Sequence, residues 1–258
     1  MIEICPLPAI KDNYIWLLIF GDHQTIVVDP GDAKPVLEAV DRQALTPVAI
    51  LVTHNHWDHV DGIAELLKRF RIPVYGPSNE PIPHLTGPVS EGQRLTFGEL
   101  SLEVLDVPGH TSGHVAYRMD HSLLVGDTLF AGGCGRLRGG SAAQLYASVR
   151  KIDSFPAETV IYCTHEYTVD NLRFAEAVEP DNEHIKSRIV QVDDLRKQGR
   201  PSLPTTLELE RLTNPFLRCD VKAVIAAAEA FAHRRLTSGV EVFTALRAMK
   251  DRFNCVIN

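Results

Sequence analysis

Leu51-Val52-Thr53-His54-Asn55-His56-Trp57-Asp58-His59 is the stretch on which the reading of this chain turns. An apolar, β-branched run ends there in a polar turn, so the side chains of the turn can converge on one point beyond a strand's end, where functional loops tend to sit. Imidazole nitrogens and a carboxylate are the ligands that bind zinc, iron or manganese at neutral pH. Three histidines and an aspartate within six residues are a dense set of such donors. The bland alternative is a solvated polar turn with satisfied histidines.

Three further segments occupy the same architectural position after an expected strand. They are Pro108-Gly109-His110-Thr111-Ser112-Gly113-His114, Gly126-Asp127-Thr128 and Cys163-Thr164-His165-Glu166. Taken singly, His110 reads as a turn histidine, Asp127 as a turn former or helix cap, and His165 as a core or cap residue. Four strand ends that all supply metal-binding side chains make those separate readings weak in combination.

Around these segments the chain alternates. Strand-like runs at Ile15 to Phe20, Thr25 to Asp29, Val48 to Thr53, Leu102 to Val107, Ser122 to Gly126 and Val160 to Cys163 are interspersed with helical stretches at Lys34 to Ala44, Gly62 to Arg69 and after the serine cap Ser141. A mixed α/β class follows. After Thr164 the text turns helical, with Asn171 to Val178, Asn182 to Lys197, Leu207 to Leu212, Val221 to Arg234 and Gly239 to Asp251, and with few strand signals. Residues 1–165 are expected to form the metal-binding catalytic domain and residues 166–258 a helical C-terminal domain.

With 258 residues the chain is long enough for such a division and for burying a site. Hydrophobic residues make up 45% and charged residues 23%, which excludes a disordered or fibrous chain. The net charge of −7 repels a polyanion, so nucleic acid is not the expected partner. No apolar run of spanning length and no basic region ahead of an apolar stretch are present, so no membrane association and a cytoplasmic location are expected. The five cysteines (Cys5, Cys134, Cys163, Cys219, Cys255) form no C-x-x-C pair, and reduced, mostly buried thiols are expected.

These residues resemble the metallo-β-lactamase fold superfamily, and within it the chain is similar from end to end to the glyoxalase II family of hydroxyacylglutathione hydrolases. Besides T-H-x-H-x-D-H, the resemblance rests on Asp12-Asn13-Tyr14, Val28-Asp29-Pro30-Gly31, Gly126-Asp127-Thr128-Leu129-Phe130, Gly132-Gly133-Cys134-Gly135-Arg136 and His165-Glu166-Tyr167-Thr168. It implies an αβ/βα sandwich with a helical C-terminal domain that completes a glutathione site. It also implies two divalent metal ions, zinc with iron or manganese as alternatives. His54, His56 and His110 would hold one ion and Asp58, His59 and His165 the other, with Asp127 and a catalytic hydroxide bridging them. The implied reaction is hydrolysis of S-D-lactoylglutathione and related 2-hydroxyacylglutathione thioesters to D-lactate and glutathione, the second step of methylglyoxal detoxification, by a monomer.

The resemblance further assigns Arg247 and Lys250 to the substrate's carboxylates and Arg136 and Tyr167 to its glutathione part. Charge agrees, because a dianionic ligand on a protein of net charge −7 needs local cations. Read from sequence alone, Arg247 and Lys250 are equally an exposed amphipathic helix end. Asp58 reads as a ligand before a general base, since a carboxylate beside cations is a poor proton acceptor. Asp29 and His114 could orient ligand imidazoles, or be a turn former and a buried histidine. Leu137 and Arg138 depart from the family's pattern. Two alternatives stand beside the thioesterase: a persulfide dioxygenase of the same fold using a single iron, and a non-catalytic metal- or glutathione-binding module.

Overall fold

Glu3–Ala9 (β1) and Asn13–Phe20 (β2) pair antiparallel in register Glu3↔Ile19 to Ala9↔Asn13, and β2 pairs in turn with Gln24–Val28 (β3). Ile15 to Leu18 are at most 2% exposed, so both faces of β2 are covered, which is why this strand reads as a continuous apolar run rather than an alternation. The structure is a computed structural model. It describes residues 2–257, with side chains described through residue 253. The chain divides into two compact units, Met1–Asp106 with Ser112–Gly126, and Val107–Thr111 with Asp127–Asn258.

In the first unit the chain leaves β3, forms Ala33–Gln43 (α1) and returns as Thr46–Leu51 (β4), parallel to β3. Asp32 caps α1 by accepting the Lys34 amide at 2.9 Å, and Ala44 ends it in a left-handed conformation. Trp57–Val60 (α2) and Ile63–Arg69 (α3) follow, then the parallel strands Val74–Pro77 (β5) and Gly87–Val89 (β6). The sheet order is therefore β1-β2-β3-β4-β5-β6. Val36, Ala39 and Val40 of α1 and Ile63 and Leu66 of α3 pack with Ile15, Leu17, Val27 and Ile50 in one core. Arg94–Phe97 (β7), Leu100–Asp106 (β8), Val115–Met119 (β9) and Ser122–Gly126 (β10) make an antiparallel meander.

The second unit opens on a small hairpin, Leu129–Phe130 (β11) and Gly133–Cys134 (β12). Ala142–Asp153 (α4) begins with the expected Ser141 cap, in a full capping box with Gln144. Val160–Cys163 (β13), Thr168–Val178 (α5), Glu183–Lys197 (α6), the two-residue strand Thr205–Thr206 (β14), Leu207–Thr213 (α7), Lys222–Ala232 (α8) and Gly239–Ile257 (α9) complete it. Phe216 stands at the centre of its core, 5.3 Å from the Phe243 ring and 6.1 Å from the Phe174 ring.

Cys5, Cys134, Cys163 and Cys219 are in no disulfide, the last three buried, while the side chain of Cys255 lies outside the described residues. Burial drives the Cys134 thiol up to about 11 and Cys219 to about 12, so neither is a thiolate at neutral pH. No described helix is long and apolar enough to cross a membrane.

Candidate metal centre

In the first unit the turn after β4 carries His54, His56, Asp58 and His59, and the hydrogen bonds behind them decide which ring nitrogens are free to ligate. Asp29 is 2% exposed and accepts two hydrogen bonds, from the Thr53 amide at 2.7 Å and the Thr53 hydroxyl at 2.8 Å, while its Oδ2 lies 3.1 Å from His59 Nδ1. A carboxylate beside Nδ1 favours the tautomer protonated there, which leaves the lone pair on Nε2. Thr53 has given its only proton to Asp29, so its oxygen, 3.1 Å from His54 Nδ1, accepts from that ring. His54 Nε2 is then also an unprotonated donor, and it lies 3.0 Å from His56 Nδ1. The His54 and His59 imidazoles are fully buried, and His56 is half-buried. Asp58 Oδ2 lies 3.9 Å from His59 Nε2.

Asp29 is thus both of the things the sequence left open. It makes the turn, with φ of 53°, and it acts on two imidazoles, on His59 by its charge and on His54 through Thr53. Substituting Asp29 by asparagine keeps one acceptor for the Thr53 amide and removes the charge on His59. The metal affinity of the centre is expected to fall about 10- to 100-fold, read by competition with a chelator. His114 is fully buried and stacks on the His54 ring at 4.6 Å and 20°.

Two residues here carry roles that no sequence signal gave. Glu80 accepts the Asn55 amide at 2.7 Å and the Gly113 amide at 3.0 Å, joining the histidine-rich turn to the turn before β9. Asn13, noted only within Asp12-Asn13-Tyr14, donates its amide to the Asp58 carbonyl at 3.1 Å and carboxylate at 3.2 Å.

In the second unit Asp127 faces two histidines with different oxygens. Its Oδ2 is 3.5 Å from His110 Nε2, and its Oδ1 is 3.3 Å from His165 Nε2. His110 Nδ1 donates to the Arg136 carbonyl at 2.6 Å, which leaves Nε2 with its lone pair, and the Arg138 amide donates to the His110 carbonyl at 2.7 Å. The backbone of the segment containing Leu137 and Arg138 therefore fixes His110. His54, His56, Asp58 and His59 of the first unit and His110, Asp127 and His165 of the second each offer a donor atom of a kind that binds metal ions. Neutral imidazoles with oriented lone pairs, set among carboxylates, are a donor set that fits a divalent cation.

Arg247 and Lys250 are each 3% exposed, so they are not an exposed helix end. Arg247 donates to the Cys134 carbonyl at 2.8 Å and to Asp251 at 3.0 Å, and Asp251 lies 3.6 Å from Arg136 Nε. Lys250 donates to the Asp170 carbonyl at 2.7 Å. Burial, with the nearby Arg247 guanidinium, pulls its ammonium down to about 8. Tyr167 is exposed and stacks flat on the His165 ring at 4.6 Å.

Residues 12–165 match the model of the metallo-beta-lactamase superfamily, and residues 166–253 match that of the hydroxyacylglutathione hydrolase C-terminus. A hydroxyacylglutathione hydrolase of Nitrosomonas europaea is 49% identical over 255 residues, covering 98% of this chain and 97% of its own. Among solved structures, ETHE1 from Myxococcus xanthus matches with a TM-score of 0.67 at 23% identity, over 96% of this chain and 91% of its own, a likeness of fold alone. TTHA1623, solved in a di-iron-bound form, matches with a TM-score of 0.61 at 29% identity, over 83% of this chain and 100% of its own. The α/β class with a helical C-terminal region expected from the sequence is the fold these likenesses share.

Proposed function

The chain belongs to the hydroxyacylglutathione hydrolases of the metallo-beta-lactamase superfamily, and on that premise we propose that it hydrolyses S-D-lactoylglutathione and related 2-hydroxyacylglutathione thioesters. His54, His56 and His110 would hold one divalent ion, Asp58, His59 and His165 a second, and Asp127 both. Such ions supply a hydroxide near neutral pH and a Lewis acid for the thioester carbonyl. The observation that carries the reading is the carboxylate of Asp127, whose two oxygens each face a different imidazole, the disposition a shared ligand requires.

The chain's own part is orientation. The Arg136 carbonyl holds a proton on the outer nitrogen of His110 and the charge of Asp29 favours one on that of His59, so the inner nitrogens present lone pairs at any pH where the imidazoles are neutral. The leaving thiolate belongs to a thiol whose ordinary pKa is about 8.5, so no side chain need protonate it. Arg247, Lys250 and Arg136 supply positive charge for the two glutathione carboxylates, and Tyr167 an aromatic face for the peptide. The metal is proposed to be zinc, and the working form a cytoplasmic monomer.

Three measurements test the substrate cations and the class. Lys250→Ala should raise KM for a glutathione thioester at least about tenfold while changing kcat less, because it removes binding distant from the reacting carbonyl. An ammonium at about 8 loses its charge across the assay range, so KM should rise between pH 7 and 9, and Lys250→Arg should flatten that rise. A KM independent of pH in the native protein would contradict the assignment. The class is tested by metal analysis and turnover on one sample, comparing S-D-lactoylglutathione with a lactam, a lactone and a persulfide. Oxygen uptake with the persulfide and one metal per chain would favour a dioxygenase instead.

A further inference from the structure

The hairpin β11–β12 joins the two halves of the second unit's chemistry. Asp127 stands two residues before it. At its end the Cys134 carbonyl receives Arg247, and two residues further on the Arg136 carbonyl receives His110. The hairpin is too short to hold its own shape: two residue pairs close it, Leu129↔Cys134 and Phe130↔Gly133, around a tip at Ala131 and Gly132, with Gly132 at φ of 70°.

Its tip is instead held from beneath by three side chains of the helical region. Asn171 donates to the Ala131 carbonyl at 3.0 Å. Asn214 donates to the Phe130 carbonyl at 3.1 Å and the Gly133 carbonyl at 2.9 Å. Glu210 accepts the Gly132 amide at 2.8 Å. Contact is close enough that a Cβ at Gly133 would stand 2.7 Å from the Asn171 amide group.

Glu210 is fully buried, and four donors converge on its carboxylate. Besides Gly132 these are Arg188 at 2.5 Å, Thr205 at 2.7 Å and Asn214 at 2.9 Å. Arg188 is 3% exposed and also donates to Thr205 at 3.0 Å and Thr213 at 2.5 Å. Desolvating two charges offsets most of their attraction, and well-packed apolar residues commonly serve stability as well, so the pair is poorly explained as a source of stability. What an apolar pair could not do is address a backbone amide at a hairpin tip.

We infer that Glu210, seated by Arg188, and Asn214 are positioning residues that fix the 129–135 hairpin and so hold Asp127 and the Arg136 carbonyl in register for the metal centre. The inference rests on the proposed metal centre for its effect on turnover. The hold on the hairpin itself is independent of which substrate is used.

The test compares two double variants that both lack the ion pair. Arg188→Met with Glu210→Gln removes both charges and keeps an acceptor for the Gly132 amide. Arg188→Met with Glu210→Met removes the acceptor as well. In the full-length protein, the first should stay within about threefold of the native protein in kcat for the thioester and in the chelator concentration that strips half the metal. The second should lose about tenfold or more in both, the scale on which groups behind metal ligands act. Hydrogen exchange at Gly132 should quicken at least about tenfold in the second only. Asn214→Ala, which leaves the ion pair in place, should reproduce the loss of metal retention.

Equal metal retention and equal Gly132 exchange in the two double variants, whether both native-like or both impaired, would overturn the positioning role. A native protein that retains metal and protects Gly132 yet leaves the thioester intact would instead count against the proposed substrate.

Discussion

Asp127→Ala is expected to yield a folded protein that retains at most one metal ion per chain and turns over a glutathione thioester at about a thousandth of the native rate or less. The side chain is nearly buried and its two oxygens face His110 and His165 separately, so one truncation withdraws a ligand from both of those imidazoles. The main chain around it keeps its supports: the Gly135 amide still donates to the Thr128 carbonyl and the Thr128 hydroxyl to the Val107 carbonyl. The loss should therefore appear in metal analysis and rate, not in the cooperativity of thermal unfolding. Unchanged metal content with unchanged kcat would remove Asp127 from the centre.

Gly31→Ala should be the most disruptive single-methyl change in the first unit. A Cβ there would stand 1.9 Å from the Asp58 carbonyl oxygen and 2.4 Å from its carbon, and backbone cannot swing aside as a side-chain end can. The same carbonyl accepts the Asn13 amide, so the α2 turn is held from the other side. Relief requires moving Asp58 and, with it, its neighbour His59. A destabilisation of about 2–4 kcal/mol is expected, at the upper end of overpacking effects, together with lost metal retention. Gly92→Ala is the comparison, because φ there is 77° and the space is open, so it samples backbone strain without collision. If Gly31→Ala cost no more stability than Gly92→Ala, the close approach would not matter.

Much of this was legible in the residues, for physical reasons that differ from place to place. The helices of the second unit announce themselves by caps and period, as at Ser141 and Asn182. The inner strands β2 to β4 do so by unbroken apolar runs. Strands β5, β6 and β7 are three or four residues long, two of them containing glycine and proline, and offer too few positions for an alternation to show. The candidate donors were readable because each follows a strand. The support of Glu80 was not, since it depends on two amides 25 and 33 residues away in sequence. The burial of Arg247 was hidden likewise, because what receives it is the Cys134 carbonyl, 113 residues earlier.

Glu80 also bears on how such a centre is filled. One carboxylate that stitches the Asn55 and Gly113 amides together keeps both turns in their final shape without help from any ion. Loading then resembles filling a finished socket rather than folding around a guest, in contrast to small zinc modules whose folding is their metal binding. Imidazole and carboxylate donors accept zinc, iron and manganese with different strengths, so which ion fills the place depends on supply as well as on affinity.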